Sequence, residues 1–228
     1  MTENNIKPQV VLFSGGRDST LTASILMMRN IPVCLLSADS GASVHRDVMK
    51  YRIKELKKRF GEALLVDHVS IDIAGTFRSI ALSEIENDIL TDKKNLIVVG
   101  EKLAILAHAV DFCLRYNYKI INCGYTKYQE EFPEQRETSI NFFKNILKKY
   151  EILLECPIYF EATNVEYVKY RLMQIGLSNK PLEGSTLFGD TFSKANDQTI
   201  INYLHRKEIL VHSHIKFLNQ TVEIYSTV

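Results

Sequence analysis

A serine- and glycine-rich segment near the N-terminus has the composition of an anion-binding loop. It reads Ser-Gly-Gly-Arg-Asp-Ser-Thr over residues 14–20, between a short apolar run and a helical pattern. Adjacent glycines allow positive φ and let backbone N–H groups approach an anion, and a helix start adds unpaired N–H groups and a positive dipole end. The segment therefore predicts a phosphate-binding loop, with donors from Ser14, Gly15, Gly16, Ser19 and Thr20.

Asp18 is the acidic residue of this loop, and its carboxylate would repel a bare phosphate. It fits either as the N-cap of the following helix or as a ligand of a metal ion that itself binds phosphate, or as both. The Gly-Lys-Ser/Thr ending of a Walker A motif is missing, and so is the G-x-G-x-x-G dinucleotide fingerprint. The loop therefore predicts phosphate binding outside these two common motifs.

The elements that must position this loop alternate along the chain. Apolar runs rich in β-branched residues predict strands at 10–13, 33–38, 64–73, 120–123 and 152–154. Apolar residues at helical spacing predict helices at 18–29, 44–60, 103–114, 140–150 and 165–175, the last closed by Gly176 as a C-cap, and 77–94 is interpreted as a loop with a helical piece. This alternation predicts an α/β fold, a doubly wound parallel five-stranded sheet that binds ligands at the carboxyl ends of its strands.

The C-terminal segment breaks the alternation. It has a helical pattern at 200–204 and a β-like composition over 209–228. We interpret residues 1–183 as the nucleotide-binding domain and residues 184–228 as a small C-terminal appendage.

Composition excludes several classes of protein. The 228 residues carry a net charge of +1, so there is no basic surplus for nucleic acid, and Lys144, Lys148 and Lys149 are interpreted as a solvated helix face. No apolar run approaches the length of a membrane span, and the polar N-terminus is not a signal peptide. The four cysteines lack zinc-knuckle or redox spacing and fit buried thiols in a reducing cytoplasm.

The loop resembles the Ser-Gly-Gly-x-Asp-Ser-Thr signature of the PP-loop ATP pyrophosphatases. The resemblance implies that ATP lies across the strand ends and that the loop holds the β- and γ-phosphates, which leave as pyrophosphate. A substrate oxygen attacks the α-phosphate, and a nucleophile then displaces AMP. It also implies Mg²⁺ with Asp18 close to it, and an adenosine site bordered by Ser37, Ala38 and Asp39. Asp39 fits equally as a magnesium ligand or as the cap of a turn.

Within this superfamily, roughly residues 9–186 resemble the 7-cyano-7-deazaguanine synthases (QueC). Residues 132–136 read Phe-Pro-Glu-Gln-Arg where that family has Tyr-Pro-Asp-Cys-Arg, and Cys-Pro-Ile at 156–158 leads to Ala-Thr-Asn at 162–164 and a helix that ends at Gly176. The resemblance implies a C–N ligase-like homodimer of queuosine biosynthesis. Its small-molecule substrate would be a carboxylate of the 7-carboxy-7-deazaguanine type, attacked by an amine or ammonia.

The sequence also departs from that family. No cysteine follows Cys156, and His205, His212 and His214 are a poor zinc set, so no zinc site is expected. Glu101-Lys102 stands where the family has Arg-Asn, which leaves the acceptor substrate open.

Several residues outside the loop are candidates for the substrate site. We expect Lys102 to neutralise pyrophosphate and Arg136 to grip a carboxylate or phosphate through its guanidinium fork, although Arg136 also fits a surface arginine at a helix start. Tyr125 and Lys127 could line the substrate mouth.

Two other functions remain open. A PP-loop sulfurtransferase acting on tRNA would use reactive cysteines, and Cys123 and Cys156 lie near strand ends, but the balanced charge weighs against an RNA substrate. A non-catalytic nucleotide-binding subunit, with a partner protein, is the second. The intact glycines and Asp18 argue against the loss of function that it implies.

Overall fold

A computed structural model describes residues 6–44, 46–183, 185–186 and 194–225. The strands and α-helices in chain order are β1 (Gln9–Leu12), α1 (Arg17–Met28), β2 (Val33–Asp39), β3 (Ser43–Val44), α2 (Met49–Phe60), β4 (Leu65–Asp72), α3 (Ala74–Phe77), α4 (Ile85–Asp92), α5 (Ile97–Tyr116), β5 (Ile120–Asn122), α6 (Glu137–Lys148), β6 (Leu153–Glu155), α7 (Val165–Ile175), β7 (Ser185–Thr186) and α8 (Asp197–Tyr225). Single 3₁₀ turns lie at Arg46–Val48, Lys127–Gln129 and Pro133–Gln135, and a π-helical turn at Arg78–Leu82.

Five strands form one parallel sheet in the order β4-β2-β1-β5-β6, which confirms the predicted doubly wound α/β fold. The chain winds outward from β1 in both directions, since β1 pairs with β2 on one side and β5 on the other. The loop after β1 therefore lies at the topological switch point, where open α/β sheets bind their ligands. β3 and β7 pair separately as a short antiparallel ribbon.

Both faces of the sheet are covered, as the apolar runs of its central strands β1 and β2 require. Val10 points into a core cluster formed with α5, α6 and α8, whereas its neighbour Val11 points into a cluster formed with α1, α2 and α7. Gly176 has φ of 86° and closes α7 as its left-handed C-cap, as the sequence predicts.

Two of the predicted elements differ from the structure. The helix expected at 44–60 begins only at Met49, after β3 and a 3₁₀ turn, and its buried side includes Leu56 while Val44 and Tyr51 are exposed. The segment 77–94 is mostly helical rather than mostly loop. Phe77, Ile80 and Ala81 are buried at helical spacing there, which explains the helical structure.

The β-like interpretation of 209–228 is wrong for its described part, because α8 continues from Asp197 to Tyr225. Its buried residues, which include Ile200, Leu204, Val211 and Ile215, recur at helical spacing and belong to the main core. Residues 184, 187–193 and 226–228 of the predicted appendage lie outside the described residues, and the boundary after residue 183 stays a prediction. In the part of the chain that is described, no helix combines the length and apolar character needed to cross a bilayer.

Candidate functional site

A cavity of about 380 Å³ opens at the carboxyl ends of β1, β2 and β5. It brings together six of the predicted site residues, Ser14, Gly16, Asp18, Ser19, Ala38 and Lys102, and also Tyr125. Its other lining residues are Leu12, Phe13, Leu36, Ser43, Met49, Glu101, Ile105, Cys123, Gly124, Gln129, Gln135 and Glu183. The volume lies within the range of small-molecule sites, roughly 300 to 1,000 Å³.

The phosphate loop has the backbone geometry that its glycines predict. Gly15 adopts φ of 83°, and Gly16 is the N-cap of α1. The Gly16 N–H donates to the Ser14 hydroxyl oxygen at 3.2 Å, and the Ser14 and Ser19 hydroxyl oxygens lie 3.3 Å apart. Two hydroxyl groups and the start of a helix therefore meet at one edge of the cavity, an arrangement suited to an anion.

Position 124, just after β5, must be a glycine because the chain passes very close to the phosphate loop there. A β-carbon at this position would lie 2.5 Å from the Ser19 backbone nitrogen and 2.7 Å from the Asp18 carbonyl carbon. The glycine therefore lets the end of β5 pack directly against the first turn of α1, which places the following segment beside Asp18.

Asp18 lies in the first turn of α1 and is not its N-cap, so that alternative is wrong. Its carboxylate accepts hydrogen bonds from the Tyr128 hydroxyl at 3.1 Å and the Gln129 side-chain amide at 3.3 Å. Burial raises the pKa of Asp18 to about 6, although the Tyr128 hydrogen bond lowers it. A half-buried carboxylate held by neutral donors and facing the cavity suits the binding of a metal–phosphate complex.

A chain of amide hydrogen bonds connects Asp18 to the Phe-Pro-Glu-Gln-Arg segment. The Thr126 backbone N–H donates to Oε1 of Gln135 at 3.0 Å, and Nε2 of Gln135 donates to Oε1 of Gln129 at 2.6 Å. The orientation of both amides is fixed by these contacts, so Gln129 presents its NH₂ group to Asp18. Sequence reasoning missed Tyr128 and Gln129, and it quoted Gln135 only within the Phe-Pro-Glu-Gln-Arg segment that carries the family resemblance.

Lys102 supplies the positive charge of the cavity. It is half-buried in α5, and no described residue accepts a hydrogen bond or forms an ion pair with its ammonium group. Neighbouring Glu101 instead accepts a hydrogen bond from the Ser40 hydroxyl at 2.6 Å. Among the described lining residues, Lys102 is the one cation beside three carboxylates, those of Asp18, Glu101 and Glu183.

Five predicted site residues lie outside the cavity lining, and one of them is Gly15 of the phosphate loop. Thr20 is fully buried and donates its hydroxyl to the Gly16 carbonyl at 2.6 Å, and buried Ser37 donates to the Phe13 carbonyl at 2.7 Å. Asp39 accepts from the Gly41 N–H at 2.9 Å, in the manner of a turn cap. Arg136 donates to the Ala195 carbonyl at 2.7 Å and pairs with Asp197 at 3.0 Å, so its guanidinium group holds the start of α8.

Glu183 is a lining residue that the sequence did not suggest. Its Oε2 lies 3.5 Å from the Ser14 hydroxyl oxygen and against Gly16, where an added β-carbon would overlap it. The residue as a whole is exposed, but burial of its carboxyl end raises its pKa. No local pattern marks Glu183, because it reaches the loop from 169 residues away.

The cysteines and histidines do not form a further centre among the described residues. Burial raises the pKa of Cys34 to about 11 and those of Cys113 and Cys156 to about 12, and it raises that of cavity-lining Cys123 well above the ordinary value. On α8, His212 contacts Tyr150 at 2.7 Å and His214 contacts Ser79 at 2.9 Å. Within the described part of the chain, no three His, Cys, Asp or Glu residues cluster as metal ligands.

The chain resembles known proteins both in sequence and in fold. The model of the family "Queuosine biosynthesis protein QueC" matches residues 8–178. None of the curated proteins compared with the chain matches it.

Two solved structures share the fold. A 4-thiouridine synthetase–RNA complex with bound ATP matches at 11% identity and a TM-score of 0.60, over 93% of this chain and 53% of that one, so the chain spans about half of that synthetase. NMN synthetase from Francisella tularensis matches at 14% identity and a TM-score of 0.54, over 95% of this chain and 85% of that one.

Proposed function

The chain belongs to the QueC family of PP-loop ATP pyrophosphatases, and on this premise we propose that it adenylates a small-molecule carboxylate at the expense of ATP. The observation that carries the proposal is the meeting of the phosphate loop, Asp18 and Lys102 in one cavity at the switch point of the sheet. Among the described residues, the ammonium group of Lys102 has no hydrogen-bond or ion-pair partner. Hydroxyl and backbone donors on one side and an ammonium group on the other form a site for a polyphosphate.

In the proposed reaction, the loop holds the β- and γ-phosphates of ATP against the start of α1, and Ala38 at the end of β2 borders the adenosine. A carboxylate oxygen of the acceptor attacks the α-phosphorus, the bond to the bridging oxygen breaks, and pyrophosphate leaves. The resulting acyl adenylate is attacked at its carbonyl carbon by ammonia or an amine, and AMP departs. This chain's residues position the groups and stabilise charge, and they form no covalent intermediate.

The charges that line the cavity support a requirement for Mg²⁺. Three carboxylates and one ammonium group would repel the triphosphate of free ATP. Asp18 is the residue that fits a metal–phosphate complex, because its carboxylate faces the cavity and accepts only neutral donors. Bound Mg²⁺ would supply charge neutralisation for the leaving pyrophosphate.

We propose an acceptor of the 7-carboxy-7-deazaguanine type, or a related carboxylate. Support comes from family membership and from Tyr125 in the cavity lining, whose aromatic ring is suited to a flat heterocycle. A homodimeric state and a cytoplasmic location are proposals that follow from the family resemblance and from the composition.

Sulfur transfer is less well supported. A persulfide-forming cysteine attacks as the thiolate, and the raised pKa of Cys123 and of Cys156 disfavours that form at neutral pH. A purely binding subunit is also less well supported, because the family to which the chain belongs consists of ATP pyrophosphatases.

The test is release of AMP and pyrophosphate from ATP and Mg²⁺, with and without 7-carboxy-7-deazaguanine and ammonium. We expect the acceptor to stimulate AMP formation, and Asp18→Ala to reduce it by at least about 100-fold. Asp47→Ala is the matched control, since Asp47 is an exposed carboxylate that pairs loosely with Lys50 at 3.7 Å. Absence of AMP formation with this acceptor and with a panel of related carboxylates would refute the proposal.

A further inference from the structure

The segment of residues 178–183, here called the strap, crosses from α7 to the phosphate loop. Arg52 is completely buried and donates to the Ser178 and Lys180 carbonyls at 2.7 and 2.6 Å. Arg17, a residue of the phosphate loop itself, donates to the Asn179 carbonyl at 2.7 Å. The first half of the strap is therefore firmly tied to α2 and to the loop.

The second half of the strap lies directly on the loop. The Leu182 carbonyl oxygen occupies the space that a side chain at Gly15 would take, and the Glu183 carboxylate occupies the corresponding space at Gly16. Glu183 also lies within 3.5 Å of the Ser14 hydroxyl, which can donate to it. Because neither loop glycine has a side chain, the strap can lie against the loop in space that a phosphate could also use.

The Glu183 carboxylate therefore lies on groups that the proposed function assigns to pyrophosphate. It also lies close enough to Asp18 for its negative charge to raise the pKa of Asp18, although burial is the larger cause of that shift. Placing a carboxylate against Gly16 and Ser14 near another carboxylate is unfavourable unless the loop attracts anions, so its position is itself evidence for an anion site. A polyphosphate and Glu183 cannot occupy this position together.

We propose that the Glu183 carboxylate competes with the nucleotide for the phosphate loop and that the strap is an autoinhibitory segment. Its tip, residues 181–183, must leave the loop before the triphosphate can bind. The inference rests on the proposed function for the identity of the competing anion. The described contacts allow the movement, because residues 181–183 donate and accept no backbone hydrogen bonds with other described residues, whereas residues 178–180 are held by the two arginines.

The antiparallel ribbon of β3 and β7 includes the strand that follows the strap along the chain. β7 begins two residues after Glu183 and pairs with β3, so that Ser43 faces Thr186 in the register. Ser43 and Glu183 both line the cavity. Glu183 of the strap and Ser43 of the ribbon therefore border one cavity, and release of Glu183 would widen its opening.

The experiment measures binding of inorganic pyrophosphate in the presence of Mg²⁺ by titration calorimetry. It compares the full chain with Glu183→Gln, Glu183→Ala and the control Glu62→Gln, whose side chain is exposed and lies 3.6 Å from Lys57. If the closed strap is about ten times more populated than the open one, both Glu183 variants bind pyrophosphate about tenfold more tightly. The control should bind like the unchanged protein. Thermal melting of each variant verifies that it is folded.

The outcomes separate the two proposals. Unchanged affinity in both Glu183 variants overturns the autoinhibitory role and leaves the phosphate site intact. Weaker binding in both also overturns it, because Glu183 would then assist the metal–pyrophosphate complex. Failure of every protein to bind pyrophosphate or ATP refutes the proposed function and, with it, this inference.

Discussion

The Tyr128 hydroxyl donates a hydrogen bond to the Asp18 carboxylate across 3.1 Å, joining two residues that are 110 positions apart. This contact connects the segment after β5 to the phosphate loop after β1, the two strands that flank the switch point. It orients the one carboxylate of the loop toward the cavity.

Tyr128→Phe removes this donor and keeps the ring. We expect acceptor-stimulated AMP formation to fall about threefold to tenfold, since a typical intramolecular hydrogen bond contributes about 1 kcal/mol. The melting temperature should change little. Tyr167→Phe is the control, because the Tyr167 hydroxyl donates to Glu161 outside the cavity at 2.8 Å. Equal activity of the two variants would show that the Tyr128 contact does not orient Asp18.

Asp18→Asn should stabilise the protein while it abolishes activity. Burial raises the pKa of Asp18 from its ordinary value of 3.8 to about 6, so folding opposes its ionisation. The stability associated with the protonated form is complete below pH 3.8 and is lost as the pH rises to about 6. Without Mg²⁺, we expect the variant to gain about 1 to 3 kcal/mol at pH 7.5 and nothing at pH 3.5. Urea unfolding at both pH values measures this, and an equal gain at both would contradict it.

Lys102→Met should weaken ATP use by roughly 10- to 100-fold, because it removes the one cation among the described residues of the cavity lining. The loss should appear in KM for ATP as well as in kcat if Lys102 contacts the leaving phosphates. Lys119→Met, at a lysine that is half exposed and 3.5 Å from Glu151, serves as the control. Unchanged steady-state kinetics of Lys102→Met would show that Lys102 does not bind the phosphates.

Arg136→Gln should affect stability more than catalysis. Its guanidinium group holds Ala195 and Asp197 at the start of α8, so we expect a loss of about 1 to 2 kcal/mol in unfolding free energy and activity within about twofold. Arg171→Gln is the control, since Arg171 has similar exposure and a longer ion pair of 3.7 Å to Glu161. A large loss of kcat at unchanged stability would instead show that Arg136 acts in catalysis, as the sequence suggests.

The elements with strong local signals were predictable. The apolar runs before Ser14 and after Pro32 form buried parallel strands, and Gly176 closes its helix. The helical structure of residues 209–225 was missed because residues such as Ile209, Val211 and Ile215 resemble a strand in composition. Val211 and Ile215 are buried whereas Ile209 is exposed, which follows the helical period of the face of α8 that packs on α5 and α6. Only that packing selects the helix.

The sequence by itself determined the phosphate loop, since two glycines, three hydroxyl residues and a carboxylate between a strand and a helix suffice to build an anion site. Only the tertiary structure decided which distant side chains complete it. Tyr128, Gln129 and Glu183 reach the loop from more than 100 residues away. Arg136 is directed to α8 instead. A local pattern carries no information about such contacts, because chain crossovers and helix packing bring these residues to the loop.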